Sequence, residues 1–130
     1  MPRTHLPTQL APASAWLIED YRRAAVRSQP AAGGLAQVEL PQVPQDELWL
    51  VERIVVHCTS SNQTAARLYL DSIAPAGVLD GSRAGNFDVA DQGSPIQVPG
   101  GSVLICQWTG ADNNAVGTMR VQYVVLKQRR

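Results

Sequence analysis

Cysteine and histidine each occur only twice in this chain, phenylalanine occurs once, and aromatics make up 5% of its 130 residues. Two distant cysteines, Cys58 and Cys106, cannot build the dense disulfide framework of a small secreted domain. Both lie within apolar strand patterns, where cysteine behaves as a small buried hydrophobe. A bridge between them would need a geometry that spacing alone does not supply. Metal centres need clustered ligands, and His5, His57 and the two cysteines form no cluster. Charge is scarce at 17%, and 11 Lys and Arg cancel 11 Asp and Glu. Such balance gives no long-range pull toward nucleic acid or an anionic membrane, and it favours self-association. Long apolar runs are missing as well, and the N-terminus has no charged-then-apolar leader. A soluble chain made in the cytoplasm is the expectation.

What the chain does contain is one phrase said twice. Gln42-Val43-Pro44 precedes the apolar runs Leu48-Trp49-Leu50-Val51 and Ile54-Val55-Val56. Gln97-Val98-Pro99 precedes Gly100-Gly101-Ser102 and then Val103-Leu104-Ile105-Cys106. Each run meets a polar loop and a returning strand, Arg67-Leu68-Tyr69-Leu70 in the first copy and Met119-Arg120-Val121-Gln122-Tyr123 in the second. A repeated unit of proline turn, strand, polar loop and strand predicts two hairpins facing each other as an antiparallel β-sandwich.

Ahead of the repeat, Pro2, Pro7 and Pro12 predict an extended arm, because proline fixes its own φ and keeps the preceding residue out of helix. From Ser14 to Ser28 the pattern predicts a short helix, with a continued extended arm as the alternative. Leu17, Tyr21, Ala24 and Ala25 share a helical face, Glu19 and Asp20 come early, and Arg22, Arg23 and Arg27 come late. The expected organisation is thus an N-terminal arm with a short helix over residues 1–30 and a β-sandwich domain over 31–130. Within the sandwich, Leu35–Leu40 reads as a strand. Leu48, Leu50, Ile54, Val56 and Cys58 share one parity, broken by Glu52. Trp49, Val51 and Val55 on the other parity are also apolar, which implies that this strand is covered on both sides or touches a partner. The stretch from Ser72 to Ser94 is irregular, with a short strand expected at Phe87 and Val89. The expected core comprises Leu50, Ile54, Val56, Leu68, Leu70, Leu104, Cys106, Val121, Tyr123 and Val125.

Reaction chemistry finds little support. His57 and Cys58 are adjacent, so on a strand they point to opposite faces and cannot share a proton. Asp80-Gly81-Ser82 with Asn86, Asp88 and Asp91 looks acidic, but it lacks the alternating ligands of a calcium loop and is ordinary turn chemistry. Gly100-Gly101-Ser102 has neither the lysine nor the helix of a phosphate loop and reads as a tight turn. Arg22, Arg23 and Arg27 make a basic stripe that Glu19 and Asp20 neutralise. Trp16, Trp49 and Trp108 could form a shallow sugar platform, although core or interface positions suit tryptophan better. No catalytic, cofactor-binding or metal residue is assigned. The apolar set Trp16, Leu17, Ile18 and Tyr21 is the expected interface, because it offers more apolar area than a free surface segment should expose.

The phrases Leu48-Trp49-Leu50-Val51-Glu52-Arg53-Ile54, Leu79-Asp80-Gly81-Ser82-Arg83-Ala84-Gly85-Asn86, Val98-Pro99-Gly100-Gly101, Trp108-Thr109-Gly110-Ala111 and Arg120-Val121-Gln122-Tyr123 carry a resemblance. Together they resemble small virion proteins of tailed bacteriophages of actinobacteria. That resemblance implies a jelly-roll-like β-sandwich subunit, built into the virion as a minor tail or capsid-decorating component. It brings no catalytic or ligand motif. The expected protein is therefore a non-enzymatic virion structural protein without cofactor, partnered by copies of itself and other virion proteins rather than by nucleic acid or membrane. The alternative is a carbohydrate- or receptor-binding module at the particle periphery, contacting a host-surface glycan.

Overall fold

The computed structural model describes residues 16–128, and these form eight strands and a single 3-10 turn at Pro75–Gly77. The strands are β1 (Trp16–Arg27), β2 (Leu35–Glu39), β3 (Glu47–Cys58), β4 (Ala65–Leu70), β5 (Val78–Ser82), β6 (Phe87–Val98), β7 (Leu104–Thr109) and β8 (Gly117–Gln128). They make two four-stranded antiparallel sheets, ordered β1-β8-β3-β6 and β2-β7-β4-β5. The expected β-sandwich is present. Its core lies between the sheets, built from alternate residues of each strand.

β8 shows the logic most plainly. Met119, Val121, Tyr123 and Val125 are buried, while Arg120 and Gln122 face solvent. Opposite them the second sheet contributes Val38, Leu68, Leu104, Cys106 and Trp108. Trp108 is fully buried, and its indole N–H donates to the Gly85 carbonyl at 2.8 Å, so its one polar atom is satisfied inside the core.

The repeat places strands correctly but not as hairpins. β3 lies in one sheet and β4 in the other, and the same is true of β7 and β8. Each polar loop is long enough to cross between sheets about 10 Å apart, so each unit turns a corner rather than folding back on itself. The two copies pair across the molecule instead, Ile54 with Val121 in one sheet and Leu68 with Cys106 in the other. The paired prolines mark neighbouring turns. The Ser102 amide donates to the Pro99 carbonyl at 3.0 Å, and the Gly101 amide to that of Val43 at 2.7 Å. Gly101 takes φ +85°, the conformation that the third position of such a turn demands.

Four expectations are corrected. The helix expected over Ser14–Ser28 is strand β1 from Trp16 onward, paired residue by residue with β8. Residues 1–15 of the expected arm lie outside those described. In β3, Leu50 is not core: Glu47, Trp49 and Val51 are buried, and then Ile54, Val56 and Cys58. Val51 pairs with Tyr123 and Arg53 with Gln122, so Glu52 is an extra residue that reverses the parity of the strand. Leu70, at the end of β4, is only half-buried. The irregular stretch from Ser72 to Ser94 holds all of β5 and most of β6, of which only the part at Phe87 and Val89 was expected.

Candidate assembly surface

β1, β8 and β3 lie side by side, so their register decides which side chains share the outer face of this sheet. Ile18 pairs with Leu126, which pairs with Leu48; one step on, Tyr21 pairs with Val124, and Val124 with Leu50. In register these positions alternate with the inward-facing Trp49, Val51, Tyr123 and Val125, so they project outward, although Val124, flanked by β1 and β3, is itself buried. One end of the outer face is therefore apolar across three strands. At the opposite end Val55 pairs with Val89, and His57 with Phe87, which is well exposed. Between the two ends runs a polar belt: Arg23, Gln122, Arg53, Glu52 and Asp91. Arg53 Nε reaches Asp91 at 3.5 Å, and a shallow groove of about 340 Å³ runs past Arg23, Arg53 and Arg120. Apolar ends around a belt rich in arginine, with both charge signs present, have the composition of a protein interface.

The four expected interface residues all fall on β1. Leu17, Ile18 and Tyr21 are 51%, 60% and 70% exposed, and Trp16 is half-buried. Trp16, Ile18 and Tyr21 share the outer face with the patch, whereas Leu17 projects from the other side, near the edge. The sequence reading missed Leu48, Leu50, Val124 and Leu126. Their signal was the apolar character of both parities in β3 and in Val124-Val125-Leu126.

The remaining candidates are absorbed by the structure. Cys58 and Cys106 are buried and unpaired, and burial pushes the Cys106 thiol up to about 12, far from a reactive thiolate. His57 points outward, away from Cys58. Among the described residues no group of three or more acidic, histidine or cysteine side chains could hold a metal ion. The acidic loop residues spend their oxygens locally: Asp80 on the Gly81 amide, and Asp88 on the Val89 amide and on the Ser82 hydroxyl at 2.5 Å. A small cavity of about 60 Å³ lies behind Asp88 and Ser82, between the sheets and against Cys106, with room for a few waters. Asn86 ties two loops together; it accepts from Thr64 Oγ1 at 2.6 Å and donates to the carbonyls of Ser60 and Asn62 at 3.1 and 3.0 Å. Trp49 stacks on Tyr123 with ring centroids 4.6 Å apart, and its N–H donates to Glu47 at 2.9 Å. With Trp49 and Trp108 both buried, the three tryptophans line no common groove.

The sheet orders define an eight-stranded jelly roll, in which consecutive strands alternate between sheets except β4 and β5, which pair with each other in the second sheet. No protein-family model matches the chain, and no curated protein matches it in sequence. Solved structures are similar to it to differing degrees. A chain of the acidic stable capsid structure of Helicobacter pylori bacteriophage KHP30 matches with a TM-score of 0.55 at 11% identity, covering 84% of this chain and 90% of that one. A chain of the virus-like particle of the giant freshwater prawn Macrobrachium rosenbergii extra small virus matches at 0.41 and 11%, covering 88% and 84%. The family 32 carbohydrate-binding module of C. perfringens NanJ matches at 0.36 and 10%, covering 77% and 93%.

Proposed function

We propose that this chain is a non-enzymatic structural subunit of a virion that assembles through protein–protein contacts with copies of itself and with other virion proteins. The observation that carries this reading is the combination of a jelly roll with an exposed outer sheet face built like an interface. Likeness in fold to a phage capsid chain over most of both lengths supports the same reading and favours the shell over the tail. An accessory, shell-decorating place in a phage particle is consistent with the small size and with the sequence resemblance to actinobacterial phage proteins. Arginines interleaved with Glu52 and Asp91 suit a protein partner better than a polyanion, which would need one sign of charge. The glycan-binding alternative is weaker, because two of the three tryptophans are committed to the core.

Negative-stain electron microscopy and light scattering of the purified full chain, alone and mixed with the other structural proteins of its particle, test the proposal. Ordered assemblies or stable incorporation are expected. A chain that stays monomeric alone and joins no particle would refute it.

A further inference from the structure

Among the described residues both sheets have edges, and three of the four are defended. β2 and β5 are five residues each. β6 carries Pro95, and its pairing with β3 jumps from Ile96 to Asp91. Short length, proline and irregularity are the usual ways of preventing one sheet edge from recruiting another. β1 is different: twelve residues, about 40 Å, contain no proline. Its one irregularity is the extra residue Glu19, between the pairings of Ile18 and Asp20.

The backbone of β1 is also oriented for pairing. The Ser28 amide donates to the Gly117 carbonyl at 2.8 Å, so the residues alternating with it face β8, and Tyr21, Arg23, Ala25 and Arg27 turn their N–H and C=O groups to the open edge. Consistent with this, the Tyr21 amide is held by its neighbour, Asp20 Oδ1, at 2.9 Å rather than by β8. Along the strand the charges are segregated: Glu19 and Asp20 lie before Tyr21, and Arg22, Arg23 and Arg27 after it. Antiparallel pairing of two identical strands brings the start of one beside the end of the other. Centred on Tyr21, it sets Glu19 and Asp20 of each copy beside Arg23 and Arg22 of its partner. The pair already present, Arg22 Nε to Asp20 Oδ2 at 3.0 Å, is exposed and can exchange across the axis.

We propose that β1 is a dimerisation edge, at which two copies of this chain join antiparallel about a two-fold axis at Tyr21 and fuse their four-stranded sheets into one of eight. The occupant is a second copy, because the strand's charge pattern is complementary to itself and the interface is isologous. Tyr21 of each copy then meets its equivalent, and Ile18 and Tyr21 extend the apolar end of the outer face across both subunits. The inference deepens the assembly reading by naming the partner of this surface.

Sedimentation analysis of the full chain, from micromolar to millimolar concentration, is expected to show a reversible dimer. Tyr21→Pro removes an amide that β8 does not use, so the melting temperature should change little while dimer affinity falls about tenfold or more. Tyr21→Cys places two thiols on the axis with Cα atoms about 5.5 Å apart, within disulfide range, so mild oxidation should give a covalent dimer. Glu19→Arg with Asp20→Arg should weaken the dimer, and adding Arg22→Glu with Arg23→Glu should restore it. A chain monomeric throughout overturns the proposal. So does a dimer that is indifferent to Tyr21→Pro and gives no cross-link through Tyr21→Cys, because its contact lies elsewhere. A Tyr21-centred dimer in a protein that joins no particle would leave this inference standing and remove the virion reading.

Discussion

Gly117 lies against the face of Trp108: a Cβ added to the glycine would stand 2.5 Å from Cε3 of the indole. Trp108 cannot retreat, because it is fully buried and its N–H is anchored on Gly85. Gly117→Ala is therefore expected to cost about 1–3 kcal/mol through overpacking, although alanine is the smallest side chain that can be added. Urea denaturation followed by tryptophan fluorescence measures this; an unchanged midpoint would show that the two sheets are not in such close contact here.

The parity change at Glu52 decides which of Leu50 and Val51 shares the buried face with Ile54 and Val56. Leu50→Asp should be tolerated within about 1 kcal/mol by the fold, because Leu50 is on the outer face, while Val51→Asp should cost several kcal/mol by burying an unpaired charge. Val121→Asp, its near neighbour across the sheet, should behave like Val51→Asp. A large loss at Leu50 with a small one at Val51 would mean that the strand keeps a single parity.

Asn86 saturates its amide between Thr64, Ser60 and Asn62. Asn86→Leu leaves two loop carbonyls and a hydroxyl without that partner, and about 1–3 kcal/mol should be lost. Hydrogen exchange should report it as faster exchange in residues 59–64 and 83–87 before the sheets themselves respond.

How much of this was legible in the sequence follows the burial of each strand. β8 declares itself, since one face meets the core and the other meets water or polar belt, and its alternation survives in Met119, Val121, Tyr123 and Val125. β3 was legible as a strand but not in facing, because a single inserted residue, Glu52, exchanges inside for outside. β1 misleads because it is an edge strand with little covering it. With no core to impose period two, Leu17, Tyr21 and Ala24 fell on helical spacing by composition alone. The acids and arginines that read as a helix dipole are instead segregated along a strand. β5 and most of β6 were hidden for the opposite reason: glycine, proline and aspartate make good turns and also serve in short or irregular edge strands. Trp16, Leu17, Ile18 and Tyr21 stood out in the sequence through their excess apolar area, whereas their strand conformation did not.

Both thiols should be silent in the native protein. Thiol titration at mildly alkaline pH should detect none before denaturation and two after it, since Cys58 and Cys106 are buried and unpaired. Cys106 also sets an alkaline limit. Its folded pKa is raised from 9.0 to about 12, so the unfolded chain releases this proton first. Its contribution is complete below pH 9 and declines as pH rises toward 12, by at most about 1.4 kcal/mol per unit. Cys106→Ala should lower stability at neutral pH through the small cavity it leaves, yet flatten the alkaline limb. An alkaline limb as steep in that variant as in the parent would assign the loss to other groups.

The most direct test of the account as a whole is a cryo-electron microscopy reconstruction of the chain in its assembled state. A symmetric assembly is expected, in which β1 and the outer-face residues Ile18, Tyr21, Leu48 and Leu50 are buried between subunits. An assembly with that face turned to solvent and its contacts made elsewhere, or concentrated protein that shows only isolated monomers, would contradict it.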